Sequence, residues 1–179
     1  VGCIYSIENY VSIDKPMRSP MEIPFGISII ATVLKVAKHD VDLFVFSPVT
    51  SVRKILEDYI REKNPQLFCL SAVSSQFPPI ENVAALIKEI DPDIFIVLGG
   101  HHASLSPDQA IKCINLDAIC VSEGDAAVVE LARQLGEDKW PSAISNLWIR
   151  HPETGDIEKN STAPFNEDLD TIPHVDRTL

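Results

Sequence analysis

The chain has 179 residues, of which 45% are hydrophobic and 23% are charged, a composition typical of a globular protein. Its formal net charge of −11 argues against nucleic acid as a partner, because binding to phosphates needs a basic face. No apolar run approaches the roughly 20 residues that a membrane-spanning helix needs, and the amino terminus lacks the pattern of a signal peptide.

Short apolar runs alternate with amphipathic patterns as far as Gly136. The apolar runs predict five strands, at 1–6, 41–46, 66–73, 93–100 and 117–122. The amphipathic segments predict helices, at 25–39, 51–64, 78–91, 106–115 and 125–136. In the fourth helix, Ser106 is expected to be the N-cap and Pro107 the first helical residue, and Gly136 is expected to end the fifth.

This alternation predicts the fold class. Near-continuous apolar strands separated by helices indicate a parallel sheet covered on both faces. We therefore predict an α/β fold of the flavodoxin-like, Rossmann-like kind, with a doubly wound sheet of five parallel strands over residues 1–137. Residues 138–179 follow another pattern, in which strands at 144–150 and 156–160 form a hairpin and an extended tail follows.

The loops after the strands are where such a fold binds its ligand, and several ligands are excluded there. The segment SIENYVSIDK after the first strand has no glycine and two acids, which argues against the phosphate loop of an FMN protein. The third strand ends in Ser71, Ala72 and Val73 rather than in the aspartate that phosphotransfer requires. The motifs G-x-G-x-x-G and G-x-S-x-G are absent from the sequence.

Small residues remain at three neighbouring strand ends. They are Ser71, Ala72, Ser74, Ser75, Gly99, Gly100, Ala103, Ser104 and Gly124. Any one of these serines could simply cap a helix or stabilise a loop. Together, small side chains let a bulky, flat ligand approach the backbone closely.

The adjacent histidines His101 and His102 do not by themselves form a metal site. Zinc needs three or four ligands, and no cysteine or carboxylate lies near the pair in the sequence. His102 is interpreted either as a structural histidine or as a donor to a ligand amide or phosphate, and the residues alone leave both readings open.

The four cysteines, at positions 3, 69, 113 and 120, have no metal-ligand spacing. Three of them, Cys3, Cys69 and Cys120, lie within apolar runs, where cysteine commonly serves as a small core residue. Unpaired core cysteines are typical of a reduced environment, so we expect a cytoplasmic protein.

Four segments, in this order, resemble the N-terminal cobalamin-binding domain of cobalamin-dependent radical S-adenosylmethionine enzymes. They are MEIPFGISIIATVLKVAKHDVDLF, PQLFCLSAVSSQF, ENVAALIKEIDPDIFIVLGGHHAS and DAICVSEGDAAVVELARQL. Two later segments, ISNLWIRHPETGDIEKN and DLDTIPHVDR, are similar to the family's hairpin and to its connector into the catalytic barrel. The resemblance covers essentially the whole chain.

The resemblance implies a flavodoxin-like domain that holds cobalamin over the strand ends, with the cofactor's nucleotide tail in a cleft beside the sheet. The implied contact residues lie in the loops 71–76 and 99–104 and after the fifth strand. They are Ser71, Ala72, Val73, Ser74, Ser75, Gly99, Gly100, His101, His102, Ala103, Ser104, Glu123 and Gly124. No residue of the chain is expected to be catalytic or to bind a metal ion.

The family's older cobalamin-binding pattern has three marks: D-x-H-x-x-G after the first strand, S-x-L after the third and G-G after the fourth. Ser71-Ala72-Val73 matches the second mark with valine for leucine, and Gly99-Gly100 matches the third. If Gly26 is the glycine of the first mark, Met21 takes the position of its aspartate and Ile23 that of its histidine. Isoleucine cannot bind cobalt, so the resemblance implies base-off cobalamin without an axial histidine from this loop.

The radical half of such enzymes binds an iron–sulfur cluster through C-x-x-x-C-x-x-C, a spacing that this sequence lacks. We therefore expect a cobalamin-binding fragment of a methyltransferase or a related radical enzyme, inert alone. S-adenosylmethionine and the cluster would bind to a barrel beyond Leu179. The expected partners are cobalamin and that barrel, with neither nucleic acid nor membrane.

Two other functions stay open. A degenerate domain of this fold could act as an interaction or lid module without bound corrin. A flavodoxin-like domain could also bind another small ligand.

Overall fold

The structure is a computed structural model that describes residues 1–6, 11–12, 15–16, 25–46 and 51–178. Its strands are β1 (Gly2–Ser6), β2 (Val11–Ser12), β3 (Lys15–Pro16), β4 (Asp42–Phe46), β5 (Leu67–Ser71), β6 (Phe95–Gly99), β7 (Ala118–Cys120), β8 (Leu147–Arg150) and β9 (Ile157–Lys159). Its α-helices are α1 (Phe25–Val36), α2 (Val52–Lys63), α3 (Phe77–Ile90), α4 (His101–Leu105), α5 (Pro107–Ala110) and α6 (Asp125–Leu135). Short 3-10 helices span Ser74–Gln76 and Leu169–Thr171.

Seven of the described strands form one sheet, in the order β4-β1-β5-β6-β7-β8-β9. The first five are parallel to one another, and their order confirms the predicted flavodoxin-like fold. The predicted hairpin is β8–β9, which joins the same sheet because β8 pairs antiparallel with β7. Within the segment 7–24, which we predicted to be a loop, β2 and β3 form a separate two-stranded antiparallel pair.

Two layers of helices bury the two faces of the sheet, as the near-continuous apolar strands predict. On one face α1 and α6 pack on side chains that include Cys69 and Val97. On the other face α2 and α3 pack on side chains that include Leu70 and Leu98. Successive residues of a strand point to opposite faces. Every second residue of a strand therefore faces α1 and α6. Each fully buried aliphatic side chain contributes roughly 1.5–3 kcal/mol to stability.

The segment after β6 is helical from His101 to Leu105, whereas we predicted a loop over 99–104. The chain turns at Gly100, whose φ is +87°, and His102 then donates its backbone N–H to the carbonyl oxygen of Ala72 over 3.0 Å. These two features start α4 directly after the strand. The prediction of a loop was wrong because the bond to Ala72 comes from a segment distant in sequence.

The helix predicted over 106–115 is correspondingly short. Pro107 is its first residue as predicted, but the side chain of Ser106 caps none of the N–H groups of the described chain. After α5, Cys113 bonds to Ala110 and Leu116 to Cys113 through backbone N–H groups in tight turns. The guanidinium of Arg150 on β8 donates to the carbonyl oxygens of Ile111, Cys113 and Leu116.

The four cysteines are free and buried. Cys3, Cys69 and Cys120 lie in the core between the sheet and the α1–α6 layer, and Cys113 lies in the core on the opposite face. The predicted role of Cys3, Cys69 and Cys120 as small core residues is therefore confirmed. Among the described residues, no helix is both long enough and apolar enough to cross a bilayer.

Candidate functional site

A cleft of about 310 Å³ lies beside the sheet, at the carboxyl ends of β5, β6 and β7. Its side walls are the first turns of α1 and α6, which approach each other across this face. The walls are largely aliphatic and include Ile27, Ile30, Val97, Val128 and Ile172. Such a cleft suits an apolar, flat group, which gains stability from burial against aliphatic side chains.

The rim of the cleft carries the small and polar residues. They are Ser71, Gly99, Gly100, Ser122, Glu123 and Gly124. Ser71 and Gly99 lie opposite each other in the β5–β6 register. They follow Cys69 and Val97 by two positions and therefore face the same side of the sheet.

Glycine is present at three positions of the rim for three different physical reasons. A Cβ atom at Gly100 would lie 2.8 Å from both the carbonyl oxygen of Ala72 and Oγ of Ser71, so the tight turn requires glycine. A Cβ at Gly124 would lie 3.2 Å from Cδ1 of Ile30, so this glycine lets α1 and α6 approach. A Cβ at Gly99 would come no closer than 3.8 Å to any described atom. Glycine there leaves space in the cleft rather than relieving a clash.

Glu123 links three segments at the rim. Its backbone carbonyl oxygen accepts a hydrogen bond from Nδ2 of Asn146 over 2.7 Å. Its carboxylate Oε2 accepts the backbone N–H of Asn166 over 3.1 Å. The neighbouring Ser122 has φ of +84° and is held by Oγ of Ser104, which accepts its N–H over 3.1 Å.

The thiols at the floor of the cleft are protonated. Burial, together with the negative charge of Asp125, raises the pKa of Cys120 to about 12. The pKa of Cys69 is also raised, mainly by a hydrogen bond with Cys3 and to a smaller extent by burial. Because a thiol is nucleophilic only as the thiolate, these cysteines provide a neutral lining rather than a reactive group.

His102 lies outside this cleft, on the face of the sheet that α3 covers. Its ring stacks on Phe77 with centroids 4.1 Å apart and an angle of 25° between the planes, and Nδ1 is 3.2 Å from Oγ of Ser74. Nε2 is buried and has no hydrogen-bond partner in the described part of the chain. Burial lowers the pKa of His102, so the neutral imidazole is favoured and this packing supports a structural role.

The structure thus brings together five of the thirteen predicted contact residues in the cleft: Ser71, Gly99, Gly100, Glu123 and Gly124. Ala72 and Ala103 are buried in the core on the opposite face. The remaining predicted residues lie along the carboxyl edge outside the cleft lining, with Ser74, Ser75 and His101 exposed and Val73 and Ser104 half-buried. Whether a ligand contacts any of the thirteen stays a prediction.

Several lining residues were missed because we considered only the loops after strands. Ile27, which is buried, and Ile30, which is partly buried, come from the apolar side of α1, which the periodicity of that helix indicates. Ile172 comes from the tail, whose sequence has no periodic pattern. Met21 and Ile23, the positions expected to replace the axial-histidine motif, lie outside the described residues.

No group of three or more histidine, cysteine, aspartate or glutamate residues is placed to hold a metal ion within the described ranges. The cleft therefore offers shape, apolar surface and a few polar groups. In chemical terms this arrangement can bind and orient a ligand.

Comparison with known families identifies a match over the site. The model of the B12 binding domain matches residues 20–132. This range contains α1, the parallel strands from β4 to β7 and most of α6. It therefore includes all thirteen of the residues predicted to contact a ligand.

Two curated proteins are similar in sequence. An uncharacterized methyltransferase of Pyrococcus horikoshii is 24% identical over 158 residues, which cover 84% of this chain and 32% of that protein. The anaerobic magnesium-protoporphyrin IX monomethyl ester cyclase of Rubrivivax gelatinosus is 26% identical over 157 residues, covering 83% of this chain and 28% of the cyclase. The chain thus spans about 30% of the length of these relatives.

Solved structures share the fold. The radical S-adenosylmethionine methyltransferase TsrM from Kitasatospora setae, with cobalamin and a 4Fe-4S cluster bound, superposes with a TM-score of 0.73 at 15% identity, covering 96% of this chain and 30% of that one. The cobalamin-dependent S-adenosylmethionine radical enzyme OxsB, with aqua-cobalamin and S-adenosylmethionine bound, gives a TM-score of 0.69 at 18% identity, covering 91% of this chain and 22% of that one.

Proposed function

This chain belongs to the B12-binding domain family, and on that premise we propose that it binds cobalamin at the carboxyl edge of its parallel sheet. The apolar nucleotide base of the cofactor would enter the cleft between α1 and α6. The larger corrin would lie over the strand ends. The observation that carries this proposal is the open cleft of about 310 Å³ with aliphatic walls at that edge.

The residues present fit such a ligand. Ile27, Ile30 and Val128 would hold the flat base by apolar contact, while Ser71 and Ser122 at the rim offer hydroxyl and backbone groups to its polar linkage. Gly99 leaves room that the packing of the described chain does not need. When bound, cobalamin supplies the alkyl-transfer or radical chemistry, and the protein supplies binding and orientation.

The open cleft also bears on the alternative of a lid module without corrin. A domain that had lost its cofactor would be expected to fill the cleft with side chains or a collapsed loop. The described segments 71–76 and 99–104 instead leave the space beside Gly99 open. This geometry supports cofactor binding over the lid module.

We propose further that the longer protein is a radical S-adenosylmethionine enzyme, a methyltransferase or a related one, whose barrel binds S-adenosylmethionine and an iron–sulfur cluster. The solved enzymes TsrM and OxsB support this class, and the relative from Pyrococcus horikoshii supports a methyltransferase. The chain alone would be inert and would present bound cobalamin to that barrel. A cytoplasmic location, expected from four unpaired cysteines, stays a prediction, and so does base-off cobalamin without an axial histidine.

Titration with hydroxocobalamin tests the binding proposal. We expect the purified chain to shift the visible spectrum of the added cofactor and to give a saturable isotherm by calorimetry. Gly99→Val should abolish the isotherm at the same concentrations, because its side chain enters the open space of the cleft. Ser142→Val is the matched control, since it introduces the same side chain at an exposed position outside the cleft lining.

Two results would contradict the proposal. One is the absence of binding at high micromolar concentration, both in this chain and in the longer natural protein. The other is equal binding by the Gly99→Val variant, with the fold verified by circular dichroism. Sequencing the gene beyond Leu179 tests the enzyme class, because a radical enzyme should carry C-x-x-x-C-x-x-C there.

A further inference from the structure

The segment after the hairpin, residues 163–178, turns back across the face of the molecule that α1 and α6 form. We call this segment the C-terminal strap. At its beginning, Ala163 donates its backbone N–H to Oδ1 of Asn146 over 2.7 Å, and Asn166 donates to Oε2 of Glu123 over 3.1 Å. Because Glu123 is itself a rim residue of the cleft, the strap is bonded directly to the candidate site.

The far end of the strap is bonded to α1. Asp176 donates its backbone N–H to Oγ1 of Thr32 over 3.0 Å, and its carboxylate is paired with Nζ of Lys35 at 2.6 Å. The hydroxyl of Thr32 donates its own proton to the carbonyl oxygen of Ser28 over 2.7 Å. Its lone pairs are therefore oriented to accept the N–H of the strap.

Between these two anchors a compact turn positions Ile172. The carboxylate of Asp168 accepts the N–H of Asp170 over 3.2 Å, a short-range turn typical of aspartate. Nδ2 of Asn166 donates to Oγ1 of Thr171 over 3.0 Å. As a result Ile172 lines the cleft, whereas Leu169 of the same turn is 66% exposed.

We propose that the C-terminal strap is the outer wall of the cofactor cleft and that Ile172 is a binding residue for the apolar part of the ligand. This inference rests on the proposed cobalamin function. It adds to that function a binding residue outside the segment 20–132 that the family model matches. The strap would hold the ligand from the side opposite the sheet.

The strength of the anchors predicts how the strap behaves. Each hydrogen bond contributes only modestly after the loss of bonds to water, and a half-exposed ion pair contributes little. Ordering the backbone of the strap opposes docking, so docking is finely balanced. A ligand that contacts Ile172 therefore stabilises the docked strap, and by linkage the docked strap strengthens ligand binding.

Calorimetry with hydroxocobalamin on the whole chain tests the contact. Ile172→Ala should raise the Kd about tenfold, equivalent to about 1.4 kcal/mol, because it removes apolar contact with the ligand. Leu169→Ala is the matched control in the same turn, and as an exposed change it should alter the Kd by no more than about twofold.

Hydrogen exchange measured by mass spectrometry on peptides from 163–178 tests the docking. Addition of hydroxocobalamin should slow exchange of the strap amides in the wild-type chain. Thr32→Val removes the acceptor for the N–H of Asp176 and should speed exchange in the ligand-free protein and raise the Kd. Thr32→Ser keeps the hydroxyl and should behave like the wild type.

The outcomes separate the two proposals. If the wild-type chain binds hydroxocobalamin but Ile172→Ala binds equally well and strap exchange does not change, the strap inference is wrong and the cobalamin function stands. If the wild-type chain does not bind the cofactor in this titration or as part of the longer protein, the cobalamin function fails and the strap inference fails with it.

Discussion

At the scale of single residues, the glycines of the site show how one residue type serves different purposes. Gly100 is required by its backbone, since φ is +87° and a Cβ would meet the carbonyl oxygen of Ala72 at 2.8 Å. Gly99 has no such conflict among the described atoms and leaves space in the cleft. His102 stacks on Phe77 and contacts Ser74. These contacts support a packing role outside the cleft.

A substitution at Gly100 tests whether the turn there excludes a Cβ atom. Gly100→Ala should lower the free energy of unfolding by about 1–3 kcal/mol, because it combines an unfavourable φ with a backbone clash. Gly155→Ala is the control, since Gly155 has φ of +74° but lies in open space and tests the φ effect alone. Urea unfolding of both variants gives the comparison, and equal losses would show that the clash contributes nothing.

At the scale of elements, side-chain hydrogen bonds stabilise the turns beside two of the helices. The turn that precedes α3 is held by Gln76, whose Oε1 accepts the N–H of Val73 and whose Nε2 donates to the hydroxyl of Tyr5. The turns after α5 are stabilised by Arg150 on β8, whose guanidinium donates to three carbonyl oxygens of these turns. The hairpin therefore stabilises a segment that is too short to be a stable helix alone.

Replacement of Arg150 tests this support. Arg150→Met should destabilise the fold by about 1–3 kcal/mol, because three partly buried carbonyl groups each lose a hydrogen bond. Arg53→Met is the matched control, since the ion pairs of Arg53 with Glu57 and Glu89 are exposed and should contribute less than about 1 kcal/mol. Chemical unfolding measures both, and a loss at Arg150 no larger than that at Arg53 would contradict the assignment.

At the scale of the whole molecule, the parallel sheet gathers the carboxyl ends of its strands at one edge, and the helix pair α1–α6 converts that edge into a cleft. The antiparallel hairpin extends the sheet beyond β7, and the tail that follows passes the cleft at Asn166 and Ile172 before it is bonded to α1 through Asp176. Residues 1–137 and 138–179, predicted as separate parts, thus contribute strands to one sheet. The chain spans about 30% of the length of its curated relatives.

Ligand linkage gives a prediction for the whole molecule. A ligand that binds only the folded state stabilises it by about 2.7 kcal/mol when present at about 100 times its Kd. Thermal unfolding of the wild-type chain should therefore move to higher temperature with hydroxocobalamin. The Gly99→Val variant should show no shift under the same conditions. A shift of equal size in both would place the ligand outside the cleft.

Sequence alone determined the parallel α/β fold and the edge of the sheet that carries the candidate site, because both follow from local patterns. Apolar runs of strand length and helical stripes are encoded within short windows, and their alternation permits few topologies. The same reasoning predicted that Ser71, Gly99 and Gly124 lie near one another. It also predicted the core role of Cys3 and Cys69.

Only the tertiary structure decided which side chains face the cleft. Ser71 and Gly99 face it and Ala72 does not, because the pleat of each strand sends neighbouring residues to opposite faces. The position of Ile172 depends on bonds from Asn166 and Asp176 to residues far away in the sequence, and no local pattern encodes such contacts. Local periodicity therefore fixes the elements and their order, while long-range hydrogen bonds and packing determine the walls of the site.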